Sequence, residues 1–380
     1  MNPFLIIGLF LFISKIIFRY LKGIKPTKTY NKLSNFAILI PARDESKVIE
    51  DLLISIKNQS LKVFFKDVYV ITESINDKTN SIASSYGANV IIREKLELKR
   101  KGYALMEAIE KITKDKEYNA YFIFDADNVL DKDYFKYMEE TYKEGYDIGI
   151  GKRKIKNKTN SISTSSHLIF TLINEVDNKN KSKNNLNLNA SGTGFYITGK
   201  VINEFKTYPF HTLTEDYEIS LYATVNNLTM KYNDKAIFYD EQPTTYKAYF
   251  NQRTRWVKGY FEARRKYACK LDSALNLSNN NFKSVYNSEI GVIDLIFIIL
   301  GILPILLKYP LFTIFAIYLG LIIFTIYLIH LEKLDIDFKL YIKTILMNPL
   351  LLLTYVLCLF KAIFSKDDEW TKIEHKEKLD

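Results

Sequence analysis

The sequence predicts an α/β protein: a doubly wound, mostly parallel sheet at the centre, with apolar segments at both ends that belong in a membrane. Three observations predict it. From residue 36 to 124, short apolar runs alternate with amphipathic helical patterns. Charged or polar residues follow most of these runs directly. Apolar stretches close to the roughly 20 residues that cross a bilayer core flank the polar middle of the chain.

Residues 4–18 are apolar except for Ser14 and Lys15. The run has no basic segment before it and no obvious small-residue cleavage site. An uncleaved anchor is therefore expected rather than a signal peptide. Lys15, Arg19, Lys22, Lys25, Lys28 and Lys32 cluster at and after its end. By the positive-inside rule they put the middle domain in the cytoplasm.

Residues 36–40 read as a first buried strand, stopped by Pro41, with Arg43, Asp44 and Glu45 in the loop beyond. Val48, Ile49, Leu52, Leu53 and Ile56 then recur at helical spacing. A second strand spans 67–72, followed by Glu73 and a loop in which Asp77 or Ser81 opens the next helix. Residues 89–93 form the third strand. Lys101 and Gly102 lead into a helix over 103–112, and residues 120–124 form the fourth strand, ending at Asp125 and Asp127. In an open α/β sheet, ligands bind beyond the carboxyl ends of the strands, so these polar loops are expected to converge on one edge. Further on, the polar stretch 178–189 reads as a mobile loop.

Residues 244–267 carry an aromatic stripe with basic residues around it, the pattern of a helix lying in a membrane interface. Runs 290–307, 311–330 and 345–364 are apolar on every helical face. Three full crossings would leave the tail outside, unless Pro304, Pro310 or Pro349 breaks a segment. The net charge of +10 comes with no nucleic-acid motif, and its basic residues sit beside apolar runs. A membrane surface is the expected partner rather than nucleic acid. Cys269 and Cys358 show neither disulfide nor metal spacing. No glycine-rich dinucleotide or P-loop pattern is present, which excludes the common dehydrogenase and nucleotidase designs.

Taken singly, the polar clusters have ordinary explanations. Asp125 and Asp127 fit an Asx turn as well as a divalent-cation site. Thr214, Glu215 and Asp216 fit a capped helix start. Lys101 with Gly102 fits simple punctuation. His167 and His211 are isolated, without an evident catalytic partner.

Together they carry a resemblance. Residues 41–45 (Pro-Ala-Arg-Asp-Glu), the loop 73–79, residues 101–105 (Lys-Gly-Tyr-Ala-Leu), Asp125-Ala126-Asp127, Thr214-Glu215-Asp216 and residues 252–256 (Gln-Arg-Thr-Arg-Trp) stand in the order and spacing of membrane-bound family 2 glycosyltransferases. That group includes cellulose, chitin, hyaluronan and poly-N-acetylglucosamine synthases and ceramide glucosyltransferase. The resemblance covers about residues 35–260. It implies a GT-A fold over 34–242 between an anchor at 1–22 and an interfacial helix at 243–270, then transmembrane helices within 290–364 and a polar tail at 365–380. It also implies a multi-pass protein of the cell membrane.

By the same resemblance, Asp125 and Asp127 hold Mg2+ or Mn2+ on the diphosphate of a UDP-sugar, and Asp216 is the general base. Pro41, Arg43, Glu45, Glu73, Asp77, Lys101, Asp125 and Arg255 would line the nucleotide-sugar site. Gly192, Thr193, Glu215, Gln252 and Trp256 would meet a glycan or glycolipid acceptor. Glu73 departs from the family's usual Asp, and Asp77 is the candidate to replace it. The implied reaction is inverting transfer of glucose or N-acetylglucosamine to a growing polysaccharide. Single transfer to a membrane lipid is the alternative, and a non-catalytic scaffold the remote one.

Overall fold

The computed structural model describes residues 2–275, 282–289 and 293–364. Four strands stand where apolar runs predict them: β1 (Phe36–Pro41), β2 (Val68–Thr72), β3 (Asn89–Ile92) and β4 (Ala120–Ile123). The helices between them are α2 (Ile49–Lys57), α3 (Lys78–Ser85) and α4 (Lys101–Asp115), after an N-terminal α1 (Pro3–Arg19). Past β4 come β5 (Val129–Leu130), α5 (Tyr134–Lys143), β6 (Ile148–Ile155), α6 (Ser161–Thr171), α7 (Lys179–Lys183), β7 (Phe195–Thr198), α8 (Gly199–Phe205), α9 (Glu215–Val225) and β8 (Met230–Asp240). Five helices end the described chain: α10 (Tyr246–Ala274), α11 (Phe282–Glu289), α12 (Ile293–Lys308), α13 (Pro310–Glu332) and α14 (Phe338–Phe364).

All eight strands join one sheet in the order β3-β2-β1-β4-β7-β6-β8-β5. The pairings make six strands run one way, with β7 and β5 opposed. Alternation along the strands divides the core into two layers. Phe36, Ile38, Ile40 and Phe122 pack with α2 and α5 on one face. Ala37, Leu39, Tyr121 and Ile123 pack with α4, α8 and α9 on the other.

The ends differ from expectation in three ways. Among the described residues, only α13 and α14 are long and apolar enough to cross a membrane. The N-terminal α1 has 17 residues and α12 has 16, and the two pack antiparallel, with Gly8 against Ile298 and Gly301 against Leu5. Glycine at both crossings admits close backbone approach. Second, a break falls at Tyr309, since α13 starts at Pro310, whereas α14 runs on through Pro349. Third, stretch 178–189 is not a loose loop. It includes α7, and Asn178 bonds residue 189 twice, donating to the Asn189 carbonyl at 2.8 Å and accepting from its N–H at 2.9 Å. Residues 290–292 of one expected span, and the tail 365–380, lie outside the described residues.

The predicted interfacial helix exists as α10, and part of its aromatic stripe is turned into protein while Tyr246 and Phe261 stay exposed. Tyr249, Arg253 and Tyr267 are buried, and the Tyr249 hydroxyl donates to the Leu351 carbonyl of α14 at 3.2 Å. Helix α10 therefore bridges the sheet domain and the apolar helices. Among the core side chains, Phe122 packs against Phe36, Phe135 and Tyr196 with ring centroids 5.0–5.4 Å apart. Phe122→Ala is expected to cost about 3–5 kcal/mol, read as a lower melting temperature of the solubilised protein.

Candidate active site

The site forms at the carboxyl ends of the six co-directional strands. Strand β7 runs against β4 with Ile123 opposite Phe195. Continued by two residues, that register sets Thr193 opposite Asp125. Thr193 is fully buried. Its hydroxyl accepts from the Asp125 N–H at 2.8 Å and donates to Asn128. From this buried position Thr193 braces the carboxylate turn. Asp127 accepts from the Asn128 side chain at 3.1 Å and from the Glu241 N–H at 3.4 Å.

Lys101, the first residue of α4, ties this turn to α9. Its ammonium donates to Asp125 at 2.5 Å and to the Gly192 carbonyl at 2.6 Å, and lies 3.7 Å from Glu215. Helix α4 comes this close because residue 102 is glycine: a Cβ there would sit 2.0 Å from the Phe210 carbonyl oxygen. Burial opposes the charge on Lys101, but Asp125, Glu215 and Asp216 outweigh it and raise its pKa. Asp216 lies beside Gly192, its carboxylate 3.6 Å from where a Cβ would project.

Burial raises both α9 carboxyls. Glu215 is pushed up to about 7 by desolvation, with Lys101 pulling down and Asp216 pushing up. Asp216 is also raised by desolvation, against local backbone N–H bonds, Lys101 and Arg153. Thr214 supplies no capping bond to this helix. Instead Glu218, fully buried, accepts from the N–H groups of His211 and Thr212 and pairs with Lys266 of α10.

Helix α10 grips the same loop. A Cβ at Gly259 would meet the Thr214 side chain at 2.5 Å, and Glu262 accepts from the Leu213 N–H at 3.1 Å. Arg255 faces Glu215, Asp125 and Asp216; burial lowers its pKa and those carboxylates oppose the shift. Gln252 accepts from Arg253 at 2.9 Å. The Arg253 guanidinium lies 3.8 Å from the Trp256 ring centroid. One face of Trp256 is thus covered by a cation, and its edge packs on Phe170.

Beyond the ends of β1 and β2, Glu73 pairs with Arg93 at 3.0 Å and Arg43 at 3.5 Å. Asp77 is the N-cap of α3, accepting from the N–H groups of Thr79 and Asp44, both at 2.8 Å. It therefore clasps the β1 and β2 loops together, a structural duty beside any contact with nucleotide. Glu45 joins the clasp through its N–H to Thr79, and Pro41 ends β1. His211 stacks on Tyr103 at 4.6 Å, and His167 is buried 3.8 Å from Glu332.

Asp125 and Asp127 offer hard oxygen donors suited to Mg2+ or Mn2+, which usually take one or two carboxylates plus phosphate and water. The Asp125 side chain remains 42% exposed, so the turn is reachable by a charged ligand. The residues fit such an ion. No cluster of three or more metal-binding side chains occurs among the described residues.

Sequence reasoning missed Arg153, Asp240, Gln242, Glu218 and Arg93. Arg153 is buried, pairs with Asp240 at 3.3 Å and donates to the Ser191 carbonyl. Burial, opposed by Arg153 and reinforced by Asp127, pushes Asp240 up to about 7. The one signal was an arginine inside an otherwise strand-like run, 148–155.

A family model described as "Glycosyltransferase like family 2" matches residues 34–259. The poly-beta-1,6-N-acetyl-D-glucosamine synthase of Staphylococcus aureus (strain COL) is 23% identical over 266 residues, 69% of this chain and 63% of that protein. The synthase of the same name from Staphylococcus epidermidis is 24% identical over 237 residues, 61% of this chain and 56% of its own length. The chain thus spans under two thirds of these relatives. A mannosyltransferase from Pyrobaculum calidifontis, solved with GDP-Man and Mn2+, superposes with a TM-score of 0.57 at 12% identity, over 96% of this chain and 100% of its own. That likeness shows a shared GT-A fold.

The raised carboxyls make stability depend on pH. Glu215 binds its proton more tightly folded, at about 7, than at its ordinary 4.5, so the folded state holds more protons between those values. Stability then falls as pH rises through that window. Glu215→Gln is expected to lose less melting temperature than wild type between pH 5 and pH 8; equal losses would contradict the assignment.

Proposed function

The chain belongs to glycosyltransferase family 2, and we propose that it transfers glucose or N-acetylglucosamine from a UDP-sugar to a growing polysaccharide, with inversion at the transferred carbon. The reaction would take place on the cytoplasmic side of the cell membrane, in which α13 and α14 hold the domain. One observation carries this reading. Lys101 contacts Asp125 and lies beside Glu215 at once, so acidic groups from β4 and α9 meet around one point.

Asp216 takes the proton from the acceptor hydroxyl. The hydroxyl oxygen then attacks the anomeric carbon as the bond to the diphosphate breaks. A buried carboxylate with a raised pKa is a better base than an ordinary one, and such catalysis is worth about 10²–10⁴-fold. One displacement inverts the carbon and needs no carboxylate nucleophile. Lys101 and Arg255 bring two positive charges to the departing diphosphate, where a planar guanidinium suits phosphate oxygens. Held by Asp125 and Asp127, Mg2+ or Mn2+ would offset the remaining charge as a Lewis acid. Trp256, stiffened by Arg253 and Phe170, borders the acceptor side. The named staphylococcal relatives favour a polymer as acceptor.

Membranes carrying the chain, given labelled UDP-sugars, are expected to yield a ladder of products; a single glycolipid spot would move the acceptor to a lipid. Asp216→Asn is expected to lose transfer by about 10²-fold or more while UDP binding persists. Full activity in that variant would remove Asp216 as the base. Chelation of divalent cations is expected to stop transfer, and added Mn2+ or Mg2+ to restore it; activity surviving chelation would count against a metal on Asp125 and Asp127.

A further inference from the structure

Arg153 sits where two strand registers cross. Strand β6 runs against β7 with Ile150 opposite Phe195, and the Gly151 N–H donates to the Gly194 carbonyl at 2.9 Å, which brings the end of β6 beside the 191–194 turn. The β4–β7 register sets residue 193 opposite residue 125. The turn Ser191-Gly192-Thr193 is consequently anchored at three successive residues. Arg153 donates to the Ser191 carbonyl, Lys101 to the Gly192 carbonyl, and Asp125 to the Thr193 hydroxyl.

A Cβ at Gly192 would lie 3.6 Å from the Asp216 carboxylate and 3.7 Å from the Arg153 guanidinium. The missing side chain leaves a gap between these two groups, bounded by base on one side and cation on the other. We propose that Arg153 is a positioning residue for sugar transfer, fixing the 191–193 turn that sets the base carboxylate against the Asp125 turn. The proposal rests on the reading of Asp216 as the base.

Arg153 is itself locked. Phe170 lies 4.0 Å below its guanidinium, and Asp240 pairs with it on the far side. Gln242 donates to Asp240 at 2.9 Å, Ser166 to Gln242 at 2.8 Å, and Arg253 to Ser166 at 2.6 Å. This chain of bonds runs from the arginine beside Trp256 to the arginine beside the base. The Nε atoms of Arg153 and Arg253 have no hydrogen-bond partner, but the bonds above and the Phe170 ring hold the Arg153 guanidinium in one place, as a positioning element has to be held.

A competing account is that Arg153 only neutralises Asp240. Removing one partner of a buried pair strands the other's charge, whereas removing both does not. The test uses the full chain in detergent or membranes, with UDP as the binding probe and UDP-sugar turnover as the rate. Arg153→Met is expected to lower kcat about tenfold or more, with UDP affinity within about threefold. Arg153→Lys is expected to recover part of the rate. The double variant Arg153→Met/Asp240→Asn is expected to regain melting temperature but stay slow, and it keeps the test alive if the single variant does not fold.

A double variant at the wild-type rate would reduce Arg153 to a counter-charge and overturn the proposal. So would unchanged kcat in Arg153→Met, or UDP affinity lost in step with kcat, which would make it a donor-binding residue. A folded wild-type chain that transfers no sugar overturns the underlying reading of the site, a separate failure visible before any variant is made.

Discussion

The structure turns on crowding four carboxylates into one sheet edge. Asp125, Glu215, Asp216 and Asp240 come from β4, α9 and β8, and like charges in a partly desolvated space repel strongly. Lys101, Arg153 and Arg255 enter from three other elements, α4, β6 and α10, and make the arrangement tolerable. No cation serves one carboxylate alone: Lys101 and Arg255 each face three, and Arg153 acts on both Asp216 and Asp240. The pocket is an alternating charge lattice. Its elements hold position because displacing one leaves an unmatched charge behind.

Much of this was legible in the sequence, and the limits have physical causes. Strands β1, β2 and β4 announced themselves because both of their faces are covered, which makes each a largely apolar run, and the edge strand β3, only partly covered, showed through its three β-branched residues. Asp125, Asp127 and Asp216 were singled out by the resemblance of their motifs to family 2 glycosyltransferases, and the fold brings the Asp125 turn and α9 together through Lys101. Arg153 and Asp240 could not be found that way, since only the β6–β8 and β6–β7 registers bring them to the site. The bracing role of Thr193 was not legible, because its bonds to Asp125 and Asn128 arise only once β7 lies beside β4. The stretch 178–189 was misread from polarity alone: its asparagines bond one another and the backbone instead of water.

Helix α10 shows another limit of pattern reading. An aromatic stripe with basic flanks describes a helix on lipid and a helix packed on protein equally well. Here part of the stripe meets α14 and α9, and three contacts clamp the start of α9 and the loop before it: Gly259 on Thr214, Glu262 on Leu213 and Lys266 on Glu218. The helix links the apolar helices to the loop that leads into α9. Its tilt is fixed at one end by Leu351 and at the other by this loop.

The antiparallel pairing of α1 with α12 constrains how the chain is made. Gly8 and Leu5 find their partners only at residues 298 and 301. A ribosome emits the first helix, then the whole sheet domain, before the complement of that helix exists. The sheet domain is therefore synthesised, and free to begin folding, before α1 can pack on α12.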